Sequence, residues 1–194
     1  NNAGNSDLIN STEGVLYAEI KALADDSIFR AISLSDGTDN NCVRIQYRNT
    51  TNSIEGLTRS SATKYNEIIA TVIDRTESHK VAYKYSETGA KLYIDGRLIA
   101  TNNDTYSGLS INRLAFDSGA GNNDFYGNAK SVMVFKEALT DLELAKLTGY
   151  NNHELYMNYY NRLSYLGLVE EYNVESDINN YILWYQVYYK YQVL

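Results

Sequence analysis

The sequence predicts an all-β fold, an antiparallel β-sandwich, from three observations. Of its 194 residues, 19 are Tyr and none is Pro, and Tyr, Val, Ile and Thr are the residues that fit pleated, half-buried strands. Short runs of alternating apolar and polar residues follow one another, separated by clusters of Asp, Asn, Gly and Ser. No helical pattern lies between these runs, and many short strands at such spacing are typical of a sandwich or barrel.

The strands are predicted from the alternation of apolar and polar residues along the chain. They cover residues 15–21, 29–34, 42–48, 67–74, 79–85, 111–116 and 129–135. In the strand 42–48, Val43, Ile45 and Tyr47 share one face, and the polar side chains share the other, where they are expected to line a concave sheet. Those polar residues are Arg44, Gln46 and Arg48. The run 67–74 is almost continuously apolar, which predicts a strand that is buried on both faces or central in its sheet.

Residues 91–100 predict a β-hairpin. Two apolar-alternating strands flank the pair Asp95-Gly96, which supplies the positive φ angles of a tight two-residue turn.

Residues 138–149 predict one short helix that closes off the core. Thr140 is placed to cap its start, and Glu143 follows three residues later to complete a capping box. Leu139 and Leu144 are spaced for a hydrophobic staple, and Gly149 is placed to end the helix.

The composition divides the chain into three parts. Residues 1–13 are polar and turn-like and are predicted to be an N-terminal linker, and residues 14–149 form the sandwich. Residues 150–194 hold eleven of the 19 Tyr and the single Trp, a composition that is enriched at protein interfaces. In this Tyr-rich extension we expect a helix over 154–166 and a strand over 181–194, for which a helix remains the alternative.

The segment 91–148 resembles the C-terminal half of laminin-G-like, concanavalin A-like lectin/glucanase jelly-roll domains. It reads KLYIDGRLIATNN, followed by INRLAFDSGAGNNDFYGNAKSVMVFKEALTDLELAKLT. Upstream, EGVLYAEIKAL and FRAISLSDGT look like the version common in bacteriophage tail-fibre and adhesion proteins. The resemblance covers residues 14–149. It implies two stacked, curved antiparallel sheets, often with a calcium or glycan site on loops or on the concave face.

The charge and the residue types exclude several kinds of function. A net charge of −7 disfavours nucleic acid and anionic membrane surfaces, which are bound by an excess of Lys and Arg, and no apolar run is long enough for membrane insertion. No strand carries the carboxylate spacing of a retaining glycosidase. Two His and the single Cys42 do not form a nucleophile–base arrangement. We therefore predict no catalytic residues and no enzyme activity.

The loop 117–124 and its neighbours carry the candidate binding residues. For a glycan ligand they are Arg113, Asp117, Asn122, Asn123 and Tyr126. Three oxygen-bearing side chains of the same loop could hold Ca²⁺, which takes its ligands from carboxylates, amides and carbonyls. These are Asp117, Asn122 and Asp124. The alternative is a plain turn that uses Asn, Asp and Gly for their backbone tolerance. A second cluster, 36–41, lacks the bidentate Glu and the helices of an EF-hand.

These observations favour a non-catalytic carbohydrate- or receptor-binding module of a virion tail fibre or a surface adhesin. It would act at the virion surface or outside the cell, on a host-surface glycan or polysaccharide. Two alternatives stay open: a structural domain that contacts neighbouring subunits of a phage virion, and a glycoside hydrolase with an unrecognised carboxylate pair. Neighbouring subunits, including further copies in a homo-oligomer, would be contacted through residues 150–194.

Deleting residues 151–194 is expected to leave a soluble domain that unfolds cooperatively but no longer assembles. The first reason is that the capped helix ends at Gly149, where the resembling domains stop. The second is that an apolar strand edge over 181–194 would promote aggregation unless another surface packs against it. We expect another chain to pack against this edge, and the alternative is that the flank of the same domain does so. Light scattering of the full and shortened proteins compares their assembly. A shortened protein that cannot fold contradicts this interpretation.

Overall fold

Ten strands and one helix make up residues 7–149, the part of the chain that the computed structural model describes. The strands are β1 (Glu13–Ala22), β2 (Arg30–Ser35), β3 (Cys42–Tyr47), β4 (Ser53–Ser60), β5 (Thr63–Thr71), β6 (His79–Ser86), β7 (Gly89–Ile94), β8 (Arg97–Asn102), β9 (Arg113–Ala115) and β10 (Gly127–Phe135). The helix is α1 (Asp141–Thr148). The helix and strand predicted within 150–194 lie outside the described residues. Nothing helical in 7–149 has the length and hydropathy that a membrane span requires.

The strands form two five-stranded antiparallel sheets. Sheet A has the order β5-β4-β3-β2-β9, and sheet B has the order β10-β1-β6-β7-β8. The apolar side chains that alternate inward from both sheets make one core, in which Leu16, Ile32, Ile45 and Leu92 are fully buried. The predicted antiparallel jelly-roll sandwich is confirmed.

Tyr83 links the two sheets across this core. Its ring, on β6 of sheet B, lies against Gly56 on β4 of sheet A, where an added Cβ would be 2.2 Å from the ring carbon Cδ2. The Tyr83 hydroxyl donates to the carbonyl of Asn66 at 2.8 Å and lies 3.0 Å from the hydroxyl of Thr58. A glycine at position 56 is therefore required by the close approach of the ring.

The predicted hairpin is confirmed. β7 and β8 are joined at Asp95 and Gly96, whose φ angles of 51° and 82° are those of a tight type I′ turn. Asp95 also fixes the neighbouring strand, because its carboxylate accepts from the Lys80 amide at 2.9 Å and contacts Nδ1 of His79 at 2.6 Å.

The helix begins as predicted, but it does not close the core. Thr140 and Glu143 form the reciprocal capping box, and the helix ends at Gly149. Leu144 packs on the outer face of sheet B, within a second apolar cluster. That cluster contains Val15, Tyr17, Ala82 and Tyr93, with Leu139 against it. Sheet B therefore carries an apolar patch on its outer face as well as on its core face, and the helix covers that patch.

Two expectations about strands are corrected. β4 was not predicted, because its sequence SIEGLTRS contains few apolar residues and a Gly. The run 67–74 is not a central strand: β5 is the edge strand of sheet A, and the side chains of Ile69 and Ile73 are exposed. An apolar run at an open edge has the same sequence pattern as a buried strand.

The chain joins the sandwich before the predicted linker ends at residue 13. Ile9 is buried in the core. The carbonyl of Asn10 accepts from the Tyr85 hydroxyl at 2.6 Å, and its side-chain amide donates to the Lys136 carbonyl at 3.0 Å. A linker remains a prediction only for the residues before this point.

Replacing Tyr83 by Phe is expected to lower the free energy of unfolding by about 1–3 kcal/mol. The change removes one hydroxyl and leaves the buried Asn66 carbonyl without its donor. Urea unfolding measures the loss, and Tyr126→Phe is the matched control, because the Tyr126 side chain is exposed. If the two variants are equally stable, the Tyr83 hydroxyl does not stabilise the sandwich.

Candidate functional site

The outer face of sheet A, the side turned away from the core, is polar and largely buried. On β3 it carries Arg44 and Gln46, which are 5% and 4% exposed. The register places Gln46 opposite Glu55 and Arg44 opposite Leu57 on β4. Arg59, two residues beyond Leu57, shares this face and lies diagonal to Arg44. Five side chains from two neighbouring strands thus converge on one surface.

A pocket of about 170 Å³ opens on this face, and we call it the outer-face pocket. Its lining combines two apolar side chains with charged and amide groups. The lining residues are Phe29, Asp39, Arg44, Gln46, Leu57, Arg59, Lys64 and Asn123. An apolar surface with a few convergent polar groups is the usual composition of a small-molecule site.

Two loops complete the rim of the pocket. The loop between β2 and β3 is fixed by Asp36, whose carboxylate accepts from the Thr38 amide and the Asn41 side chain, each at 2.8 Å. This arrangement brings Asp39 over the sheet. The loop 117–124 reaches the pocket because the amide of Ala31 on β2 donates to the carbonyl of Asn123 at 2.9 Å.

Arg44 and Arg59 share one carboxylate. Nη2 of Arg44 lies 2.9 Å from Oδ1 of Asp39, and Nη1 of Arg59 lies 3.8 Å from Oδ2. Nη2 of Arg44 also donates to Sγ of Cys42 at 2.9 Å. Burial raises the pKa of the Cys42 thiol, so the sulfur is neutral at pH 7 and does not balance the guanidinium charge.

Several polar atoms of this face have no hydrogen-bond partner within residues 7–149. They are Oγ of Ser33, Nε of Arg44, Oε1 of Gln46, Oε1 of Glu55 and Nε of Arg59. Each is buried, and a buried polar atom without a partner costs about 1–3 kcal/mol. This face thus holds hydrogen-bonding capacity that residues 7–149 leave unused.

A pair of carboxyl groups lies next to the pocket. Glu55 is fully buried, and burial raises its pKa, as does its hydrogen bond to Glu67. The hydrogen bonds from Glu55 and Lys64 lower the pKa of Glu67 to about 2. Nη1 of Arg48 bridges the pair, 2.9 Å from Glu55 and 3.5 Å from Glu67. Of the two groups, folding therefore favours the protonated form of Glu55 and the ionised form of Glu67.

Of the candidate ligand-binding residues, only Asn123 lines the outer-face pocket. Arg113 instead ties β9 to the following loop, because its Nη2 donates to the Gly119 carbonyl at 3.0 Å. The ring of Tyr126 is exposed and lies 5.9 Å from the guanidinium of Arg30. Asp117, Asn122 and Tyr126 are not part of the pocket, and a binding role for them stays a prediction.

The loop 117–124 is a hydrogen-bonded turn. Oδ1 of Asp117 accepts from the Gly119 amide at 2.5 Å, and the Ser118 amide donates to the Asn122 carbonyl at 2.7 Å. Nowhere in residues 7–149 do three or more His, Cys, Asp or Glu side chains come together as a metal site. The proposed calcium ligands include only two carboxylates, Asp117 and Asp124, and calcium stays a prediction for this loop.

A second, wider concavity of about 500 Å³ lies beside the β4–β5 turn, and we call it the hydroxyl groove. All of its lining residues carry hydroxyl groups: Ser60, Ser61, Tyr65, Thr105, Tyr106 and Ser107. It contains no charged group, and the Ser60 hydroxyl already donates to the Ser107 carbonyl at 2.9 Å. The outer-face pocket is therefore the better candidate site.

Sequence reasoning placed Arg44 and Gln46 on one polar face but missed most of the pocket. The missed residues are Phe29, Asp39, Leu57, Arg59 and Lys64. The available signal was the polar alternation in β4, where Glu55 and Arg59 flank Leu57. Recognising β4 as the neighbour of β3 would have joined these residues to Arg44.

The chain matches a family model over residues 5–145, that of the concanavalin A-like lectin/glucanases superfamily. The chain belongs to this superfamily. The resemblance of residues 14–149 to laminin-G-like, concanavalin A-like domains is thereby confirmed. No similar sequence is found among curated proteins.

Solved structures of similar fold include three modules attached to larger proteins. The CBM40 module of the Ruminococcus gnavus IT-sialidase, bound to α2,3-sialyllactose, is 22% identical with a TM-score of 0.59, over 73% of this chain and 84% of that one. Domain 4 of the Geobacillus stearothermophilus arabinanase AbnA, in complex with arabinotriose, is 13% identical with a TM-score of 0.57, over 76% and 71%. Domains LG4-5 of the mouse laminin α1 chain are 12% identical with a TM-score of 0.52, over 72% and 40%. At these identities the similarity shows that this concanavalin A-like chain shares their fold.

Replacing Glu55 by Gln is expected to change how stability depends on pH. A carboxyl group whose pKa is raised by folding stabilises the protein below its unfolded pKa, near 4.5, and this stabilisation is lost as the pH rises through the folded value. Gln mimics the protonated acid, so above about pH 4.5 the wild type should progressively lose stability relative to Glu55→Gln. Urea unfolding between pH 4 and 9 tests this, with the exposed Glu137→Gln as control. Parallel pH curves for wild type and Glu55→Gln would contradict a raised pKa of Glu55 in the folded protein.

Proposed function

We propose that the protein is a non-catalytic carbohydrate-binding module that holds an acidic sugar in the outer-face pocket. The observation that carries the proposal is the pair Arg44 and Arg59, which within residues 7–149 share the single carboxylate of Asp39 and have Nε atoms without a partner. Guanidinium groups bind carboxylates with charge-assisted, directional hydrogen bonds. The pocket contains three cationic side chains and one carboxylate, an excess of positive charge that favours an anionic ligand.

The remaining lining residues suit the rest of a sugar. Phe29 and Leu57 offer apolar surface to the C–H faces of a ring, while Gln46 and Asn123 offer amide groups to its hydroxyls. The volume of about 170 Å³ is below the roughly 300–1,000 Å³ of sites that enclose drug-sized ligands. A terminal sugar residue therefore fits the pocket better than an extended chain segment.

The comparisons support this proposal through two modules of the same fold whose structures hold sugars. The Ruminococcus gnavus module is bound to sialyllactose and the AbnA domain to arabinotriose. Sialyllactose carries a carboxylate, the group that the arginine pair of this chain is suited to bind. Fold alone does not assign a ligand, so the weight of the proposal rests on the pocket.

The geometry of the carboxyl pair supports a binding role over hydrolysis. Retaining glycosidases keep their two carboxyl groups about 5–5.5 Å apart and inverting enzymes keep them farther apart, so that a sugar or water fits between them. Glu55 and Glu67 are both bound by Nη1 of Arg48, at 2.9 Å and 3.5 Å, and neither carboxylate lines the outer-face pocket. A glycoside hydrolase is therefore the weaker candidate.

The setting is proposed from the sequence. EGVLYAEIKAL and FRAISLSDGT resemble phage tail-fibre and adhesion modules, which place a glycan-binding face at a virion surface or outside a cell. In this setting residues 150–194 would contact neighbouring subunits. A purely structural domain of a virion remains the second candidate, favoured by the Tyr-rich composition of that segment.

Replacing Arg44 by Gln is expected to weaken binding of acidic glycans at least tenfold. The variant loses a guanidinium, and hydrogen bonds to charged groups contribute about 1.5–3 kcal/mol. A glycan array with acidic and neutral sugars, followed by calorimetry, measures the loss. Arg97→Gln is the control, because it removes the same charge from the exposed strand β8 of the other sheet.

Two results would contradict the proposal. Equal binding by wild type and Arg44→Gln would place the ligand elsewhere. New reducing ends released from a bound polysaccharide by purified wild type would favour the hydrolase alternative.

A further inference from the structure

Asp39 occupies a special position at the mouth of the outer-face pocket. It lies on the loop between β2 and β3, and its side chain remains 41% exposed while it contacts both arginines. Its backbone carbonyl is fixed separately, since it accepts from Nη1 of Arg59 at 3.2 Å. The side chain can therefore rotate away from Arg44 without releasing the loop.

The two arginines are held in place without the Asp39 carboxylate. Arg44 is buried at the centre of sheet A and donates to Cys42, the neighbouring outward residue of its own strand. Arg59 has its contact with the Asp39 backbone. Removal of the carboxylate thus leaves two positioned guanidinium groups with donors free for another acceptor.

Within residues 7–149, Asp39 is the carboxylate that lies within 4 Å of either arginine. The nearby Glu55 and Glu67 pair with Arg48 and Lys64 instead. An incoming anionic ligand consequently meets one negative charge at the arginine pair. That charge occupies the donors to which the ligand would bind.

We propose that Asp39 occupies the place of the ligand carboxylate, and that an acidic sugar must displace it from Arg44 and Arg59. The inference rests on the proposed function, since it concerns the same pocket. Asp39 is then a specificity-determining residue: it competes with a carboxylate at the arginine pair but does not oppose a neutral sugar that bonds to Gln46 and Asn123. It also balances part of the arginine charge while the pocket is empty, which lowers the cost of keeping Arg44 buried.

Asp39→Asn tests this inference on the full chain. The amide keeps the size of the side chain and removes its charge, and the expected result is a roughly fivefold tighter binding of acidic glycans, in keeping with the modest strength of partly exposed ion pairs. Binding of neutral glycans should change less than twofold. Glu137→Gln is the matched control, because it removes one exposed negative charge from the region between β10 and α1. Asp39→Ala serves as second variant and should give at least the same gain.

The probes are α2,3-sialyllactose, lactose and an array of acidic and neutral glycans, with melting temperatures to confirm folding. In one outcome, wild type binds glycans and both Asp39 variants bind acidic glycans no more tightly than wild type does. Asp39 is then a supporting contact, so the inference is overturned while the proposed function stands. If both variants bind acidic and neutral glycans more tightly by the same factor, the inference is also overturned, because Asp39 then does not discriminate between the two kinds of glycan. If wild type and both folded variants bind no glycan, the proposed function and the inference are both overturned.

Discussion

The contact of Tyr83 with Gly56 is the constraint on which the rest of the sandwich depends. It seats one ring of sheet B directly on the backbone of sheet A, where no side chain larger than hydrogen fits. Because Gly56 and Thr58 point inward to meet Tyr83, the alternation of β4 turns Glu55, Leu57 and Arg59 outward. The composition of the candidate site thus follows from a packing requirement on the other side of the same strand.

The two sheets use their outer faces differently, and the sequence indicates this difference only in part. The first half of β1 in sheet B is apolar on both faces, because Leu16 and Ala18 face the core while Val15 and Tyr17 join the outer cluster with Leu144 of α1. The capping box of α1 is local, since Thr140 and Glu143 are three residues apart, and it was predictable for that reason. The helix docks on Tyr17, Ala82 and Tyr93, which come together only in the folded sheet. Its docking position could therefore not be predicted from the sequence of the helix alone.

The candidate site shows the same division between local and long-range information. Alternation along β3 predicted that Arg44 and Gln46 share a polar face, and the structure confirms it. Their burial could not be predicted, because most residues around them, such as Leu57, Arg59 and Asn123, are distant in the sequence and come together only in the folded sheet. Sequence reasoning gave the most weight to 117–124, where polar residues are dense, yet the structure uses Asp117 to build a turn. The polar residues of a dense turn hydrogen-bond to one another. Arg44 and Arg59, 15 positions apart in the sequence, each keep one donor that has no partner within residues 7–149.

Because the pocket has its own local charge, the net charge of the chain does not by itself exclude every kind of anionic ligand. A net charge of −7 disfavours polyanions such as nucleic acids, which need many cationic contacts spread over a surface. A single carboxylate on a sugar needs only one or two guanidinium groups. At physiological ionic strength, exposed charges more than about 8 Å apart are largely screened from each other, so the charged residues that line the pocket dominate the potential that the ligand meets. An acidic protein can therefore carry an anion-selective pocket. Because Asp39 lies within 4 Å of both arginines, its charge affects the selectivity of the pocket more than the charges of remote acidic residues do.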